Sequence, residues 1–97
     1  MAGDVMTTGV ENVIIGGLAG DVLTTGSRNV AIGYQALSAE DEHGHNVAIG
    51  HYALRAQDAG ADAYNVAIGS SAGLSITTGT ANSILGGKAG DALTTGS

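Results

Sequence analysis

Asn29-Val30-Ala31-Ile32-Gly33 is the stretch on which the fold turns, because it comes back along the chain at a near-constant interval. Its relatives are Asn12-Val13-Ile14-Ile15-Gly16, Asn46-Val47-Ala48-Ile49-Gly50, Asn65-Val66-Ala67-Ile68-Gly69 and Asn82-Ser83-Ile84-Leu85-Gly86. Successive starts are 17, 17, 19 and 17 residues apart. Self-similarity at a fixed short period marks a fold that grows in one dimension, each unit burying its apolar side on the next. Working outward, the second half of a unit reads Asp21-Val22-Leu23-Thr24-Thr25-Gly26, and Ala2 to Gly9 matches that half ahead of the first full unit. The period therefore spans residues 2 to 97, and residues 1–97 form a single repeat domain.

Val-Ala-Ile is short, β-branched at two of its three positions, and bounded by turn residues. That composition predicts a strand of roughly three to five residues. In the alternation of a strand, Val30 and Ile32 share one face and Ala31 takes the other. The same holds for Val13 and Ile15, Val47 and Ile49, Val66 and Ile68. The small residue between them implies that its face is crowded too. The Asp-Val-Leu-Thr-Thr-Gly half reads as a second short strand, since Thr is β-branched. Gly16, Gly33, Gly50, Gly69 and Gly86 are expected at positive φ or at a close backbone approach. Ala19, Ala36, Ala53, Ala72 and Ala89 are expected at a corner packed against the axis. A helix is excluded, because glycine recurs every few residues and each costs about 1 kcal/mol inside a helix relative to Ala. Asp4, Asp21 and Asp91 fall in Gly-Asp turns and read as turn caps.

The 97 residues include 17 glycines, no proline, no phenylalanine, no tryptophan and no cysteine. With apolar content drawn from Ala, Val, Ile and Leu, the core is thin and marginal for an isolated chain. Association with further copies is the natural remedy. The net charge is −6, with Arg28, Arg55 and Lys88 as the fixed cations. That balance argues against phosphate-mediated nucleic-acid binding and against anionic membrane surfaces. No run approaches the ~20 apolar residues of a membrane span, and no secretory signal is expected at the N-terminus. Without cysteine there are no disulfides and no thiolate metal sites.

Asn29-Val30-Ala31-Ile32-Gly33-Tyr34-Gln35-Ala36-Leu37, with the Thr-Thr-Gly turn of the other units, resembles the repeats of bacteriophage tail-fibre proteins. A shorter relative of the same pattern occurs in the heads of trimeric autotransporter adhesins. The resemblance implies an all-β, repetitive trimeric β-fibre, either three β-solenoids side by side or one intertwined triple β-helix. It implies a homotrimer in a virion tail fibre or another extracellular setting. It also implies a rigid shaft for host attachment, with receptor or glycan contacts made through adjoining domains. The chain is not expected to be an enzyme. It has no nucleophile elbow, no His-Glu-x-x-His, and its Gly-Gly pairs lack the Lys and helix of a phosphate loop.

Units two and three lack Thr-Thr-Gly. Asp41-Glu42-His43-Gly44-His45 takes its place in one, and Gln57 to Tyr64 carries two extra residues in the other. His43 and His45 are spaced to point to one side of a strand. Across a threefold axis they would supply six imidazoles, a set suited to Fe(II), Ni(II) or another transition metal. The competing reading is a solvated acidic loop. Tyr34, Tyr52 and Tyr64 suit either an adhesive, glycan-stacking patch or packing between coils. Two further readings stand beside the shaft. Thr7-Thr8, Thr24-Thr25, Thr77-Thr78 and Thr94-Thr95 outline an ice- or surface-binding ladder that units two and three interrupt. Uncapped coil edges would instead favour end-to-end self-association into filaments.

Overall fold

The computed structural model describes residues 11–21, 23–39, 44–58 and 62–95. Five strands follow one another, β1 (Val13–Ile15), β2 (Val30–Ile32), β3 (Val47–Ile49), β4 (Val66–Ile68) and β5 (Ser83–Leu85). They form one parallel sheet in the order β1-β2-β3-β4-β5. Each strand pairs with the next at the equivalent repeat position, Val30 opposite Val47 and Ile32 opposite Ile49, for example. The chain is thus a β-solenoid with one coil per repeat. Of the two architectures open to the sequence, pairing between successive strands of one chain selects the solenoid over the intertwined helix. The two extra residues of the third unit leave the register untouched, with Val47 opposite Val66.

The asparagines lock the register. Asn12 Oδ1 accepts from the backbone N–H of Asn29 at 2.9 Å, Asn29 Oδ1 from Asn46 at 3.0 Å, and Asn65 Oδ1 from Asn82 at 2.9 Å. Asn46 Oδ1 accepts from Asn65 at 3.3 Å. Asn29, Asn46 and Asn65 are fully buried. Each strand is then bracketed by further rungs, such as Val30 N–H to Asn46 O at 2.8 Å and Gly33 N–H to Ile15 O at 2.8 Å. A buried amide that meets its partners on the neighbouring coil makes a one-residue slip costly, because every rung would lose its acceptor.

The glycine ending each strand has positive φ, and at Gly16, Gly33, Gly50 and Gly69 the backbone of the next coil also comes close. Gly33 has φ +124°, and a Cβ there would lie 2.7 Å from the carbonyl carbon and oxygen of Gly50 on the next coil. The corner alanines are core residues: Ala19, Ala36, Ala53 and Ala72 are fully buried, and Ala89 in the last coil is half-buried. The middle strand residue also points inward, with Ala31, Ala48 and Ala67 fully buried.

The second strand expected in each unit is not formed among the described residues. The chain turns repeatedly after the strand instead. Leu18, Gln35, Tyr52, Ser71 and Lys88 all have φ near +60°. Short i→i+3 bonds such as Ala36 N–H to Gly33 O and Leu23 N–H to Gly20 O close the corners. A 17-residue coil must turn several times to return to its start, and a second extended run would leave too few residues to do so. Coil-to-coil bonds persist through these turns, including Leu37 N–H to Ala53 O at 2.9 Å and Thr77 N–H to Thr94 O at 2.9 Å. Asp21 lies in a turn, as expected, and its Oδ1 is buried without a hydrogen-bond partner.

Candidate functional site

Three features of the surface stand out, each built from equivalent positions on successive coils. The first is the outer face of the sheet. With the middle residue of each strand inside, its two neighbours point outward. The zero-offset register then lines up Val13, Val30, Val47, Val66 and Ser83 in one row, and Ile15, Ile32, Ile49, Ile68 and Leu85 in a second. Neither row carries a charge. The inner members shield one another, while Val13, Ile15 and Leu85 are 47 %, 57 % and 79 % exposed. The two rows form a charge-free stripe that is aliphatic at every position but Ser83.

The second feature lies just beyond the strand ends. Tyr34 and His51 occupy the same repeat position on adjacent coils, and their rings stack 5.5 Å apart with a 16° interplanar angle. The Tyr52 ring sits 3.8 Å from that of His51 and 5.9 Å from that of Tyr34. The Arg55 guanidinium carbon lies 4.7 Å from the centre of the Tyr52 ring. Tyr34, His51 and Arg55 are exposed and Tyr52 is half-buried.

The third feature surrounds the insertion. His45 stacks on Tyr64 at 4.6 Å, and its Nδ1 lies 3.3 Å from Asp62 Oδ2. The other oxygen of Asp62 accepts from the Gly44 backbone N–H at 2.7 Å. The Gly44 N–H bond to Asp62 ties the inserted loop to the preceding coil, while His45 Nδ1 makes no hydrogen bond.

Comparison with protein families, curated proteins and solved structures finds no match. The surface chemistry must therefore speak for itself.

Of the residues singled out in the sequence, His43 lies outside the described residues, as do residues 40–42 and 59–61. His45 is directed at Asp62 and Tyr64. Among the described residues, no group of three or more His, Cys, Asp or Glu side chains is placed to hold a metal ion. The three tyrosines do not form one patch. Tyr34 and Tyr52 come together, and Tyr64 belongs to the His45 loop. Thr77, Thr78, Thr94 and Thr95 are all exposed on two adjacent coils, and the exposed Asp58 follows in the first of their columns. Two functional candidates were overlooked in the sequence, His51 and Arg55. The signal for His51 was available, because it stands 17 residues after Tyr34 and so falls on the same edge of the next coil.

Proposed function

We propose that this chain is a segment of a trimeric β-fibre shaft of the phage tail-fibre or adhesin type, working outside the cell. The observation that supports this most is the pair of open aliphatic rows. Such rows are costly in water and inexpensive when three copies turn them toward a common axis. The count of three follows from the resemblance of the Asn-Val-Ala-Ile-Gly repeat to trimeric fibres. The buried core is made of alanine methyls with about one large aliphatic per coil, so association adds the apolar burial that the single chain lacks.

The mechanism is mechanical. Each coil is joined to the next by strand rungs, by the asparagine ladder and by turn-to-turn bonds, so bending the shaft strains many hydrogen bonds together. Adjoining domains would carry the receptor contact, and the shaft would hold them at a distance.

Self-association along the axis is a second reading. Among the described residues β5 pairs only with β4, and Leu85 on its outer face is the most exposed large apolar residue.

Light scattering on a sizing column at two concentrations separates these readings. The shaft reading expects the same mass at both, that of three 9.4 kDa chains. A single-chain mass at both would sink the trimer. A mass that climbs with concentration would favour filaments.

A further inference from the structure

We propose that Tyr34, His51, Tyr52 and Arg55 form a binding ledge for carboxylated sugars, such as the terminal acidic residue of a cell-surface glycan. It rests on geometry within one chain and does not depend on the shaft reading.

The ledge is built, not incidental to one mobile side chain. Tyr34 and His51 stand on adjacent coils, about 4.8 Å apart along the axis, and their near-parallel rings stack in one column whose two members are both exposed. Tyr52 adds a third ring at an angle of 33° to His51. The backbone beneath is fixed on both sides, by Tyr52 N–H to Tyr34 O at 2.9 Å and Ser71 N–H to His51 O at 2.7 Å. The same position in the flanking coils holds Gly17, Ser70 and Gly87, so the rings rise above small neighbours. A Cβ on Gly17 would come 3.3 Å from Tyr34 Cδ2, which shows the Tyr34 ring resting over that glycine. A rigid surface loses little freedom on binding.

The composition of the ledge selects its ligand. Aromatic faces carry partial negative charge and accept the C–H edges of a pyranose ring, while tyrosine hydroxyls bond its hydroxyl groups. A quaternary ammonium is disfavoured, because Arg55 already lies against the Tyr52 ring. A single-stranded nucleic acid is disfavoured as well, because stacking there works with a track of cations and this chain has three fixed cations against nine acids. Arg55 is the deciding group. Arg28 is paired with Glu11 at 3.1 Å, whereas Arg55 makes no ion pair among the described residues. A guanidinium held on a ring keeps its N–H groups for an oxygen partner, and its fork matches a carboxylate. The chain's other acids weigh little against a cation in contact, since charges beyond about 8 Å are screened at physiological salt.

The test is saturation-transfer and amide chemical-shift NMR on the full chain, in whatever assembly it forms, with 3′-sialyllactose and cellobiouronic acid as probes. The carboxyl methyl ester of each serves as its neutral counterpart. Saturable binding of at least one acid is expected, with shifts centred on residues 34, 51, 52 and 55. Arg55→Gln should weaken the acid about tenfold and leave the ester unchanged, as loss of a hydrogen bond to a charged group implies. Tyr34→Ser, which matches the residue at that position in the fourth unit, should weaken both. No saturation with either acid overturns the proposal, and so do shifts elsewhere on the chain or equal binding of acid and ester. The chain's mass, read separately, bears on the shaft alone.

Discussion

At the scale of single residues, each coil depends on backbone conformations that most side chains resist. The position ending the strand is always glycine, at φ between +117° and +134°. The residue before each Asn is never glycine, yet Glu11, Arg28, His45, Tyr64 and Ala81 all lie near φ +60°. The difference is space. At Gly33 a Cβ would strike the Gly50 backbone, so Gly33→Ala combines a glycine-only conformation with a backbone clash. It should cost about 3 kcal/mol. Ala81 is exposed, and there the side chain only strains its own backbone. Ala81→Gly removes about 1–2 kcal/mol of strain and adds about 0.5–1 kcal/mol of unfolded-state entropy, so it should stabilise by up to about 1 kcal/mol. Urea unfolding of the two variants should therefore move in opposite directions. A neutral Gly33→Ala would mean that the coils are not in contact through this column.

At the scale of the coil, the turns beyond the strand supply one large aliphatic to the lumen, and it comes from either of two positions. Units two and three place Leu37 and Leu54 directly after the corner alanine, where the other units have Gly20, Gly73 and Gly90. Three residues further on, the first, fourth and fifth units place Leu23, Ile76 and Leu93, where the third has Gln57. Gly73 shows why the positions exchange, since a Cβ there would lie 3.0 Å from both Ile76 Cδ1 and Leu54 Cδ2. Gln57 is fully buried in the slot the other units give to an aliphatic. Its Oε1 accepts from Asn65 Nδ2 at 2.6 Å, but its Nε2 has no partner. Asn65 Nδ2 also donates to Gly79 O at 2.8 Å, so without Gln57 it keeps one of its two hydrogen bonds. Gln57→Leu should still raise stability, by up to about 1 kcal/mol, because it removes the orphaned Nε2 amide at similar volume while only one Asn65 N–H loses its partner. A loss of stability would show that the amide is needed.

Much of this element was legible in the sequence. The strands begin one residue after each Asn, and the corner alanines and strand-ending glycines sit where their spacing put them. Which face of the strand turns inward was not legible, since Val30, Ala31 and Ile32 are all apolar. The narrow lumen decides it by admitting methyl groups in the middle coils and larger Ile14 and Ile84 only in the outer ones. The expected second strand failed because Val, Leu and Thr favour extension locally while the coil requires turns, and closure overrides propensity. The aromatic ledge was half visible. Tyrosines attract notice singly, whereas His51 and Arg55 gain meaning only when the repeat is wrapped and positions 17 residues apart become neighbours.

At the scale of the whole molecule, the outer rows carry the functional reading, and they can be tested without disturbing the solenoid. Val47 and Ile49 sit on the central strand and point away from the core. Replacing both with Thr keeps β-branching and strand preference while removing apolar surface. If the rows stay in water, Val47→Thr/Ile49→Thr should change unfolding by no more than about 0.5 kcal/mol, the usual range for a surface change. If three copies bury them on a shared axis, each side chain contributes about 1 kcal/mol to association. Symmetry multiplies the loss to six side chains, enough to weaken the assembly by roughly 10³-fold or more. Sedimentation should then find single chains at concentrations where the parent runs as three. Because neither row is charged, the parent assembly should also persist in 1 M salt, where the Debye length falls to about 3 Å. Dissociation by salt would instead place ion pairs at the interface. An unchanged mass for the double variant would move the contact between chains to another face of the coil.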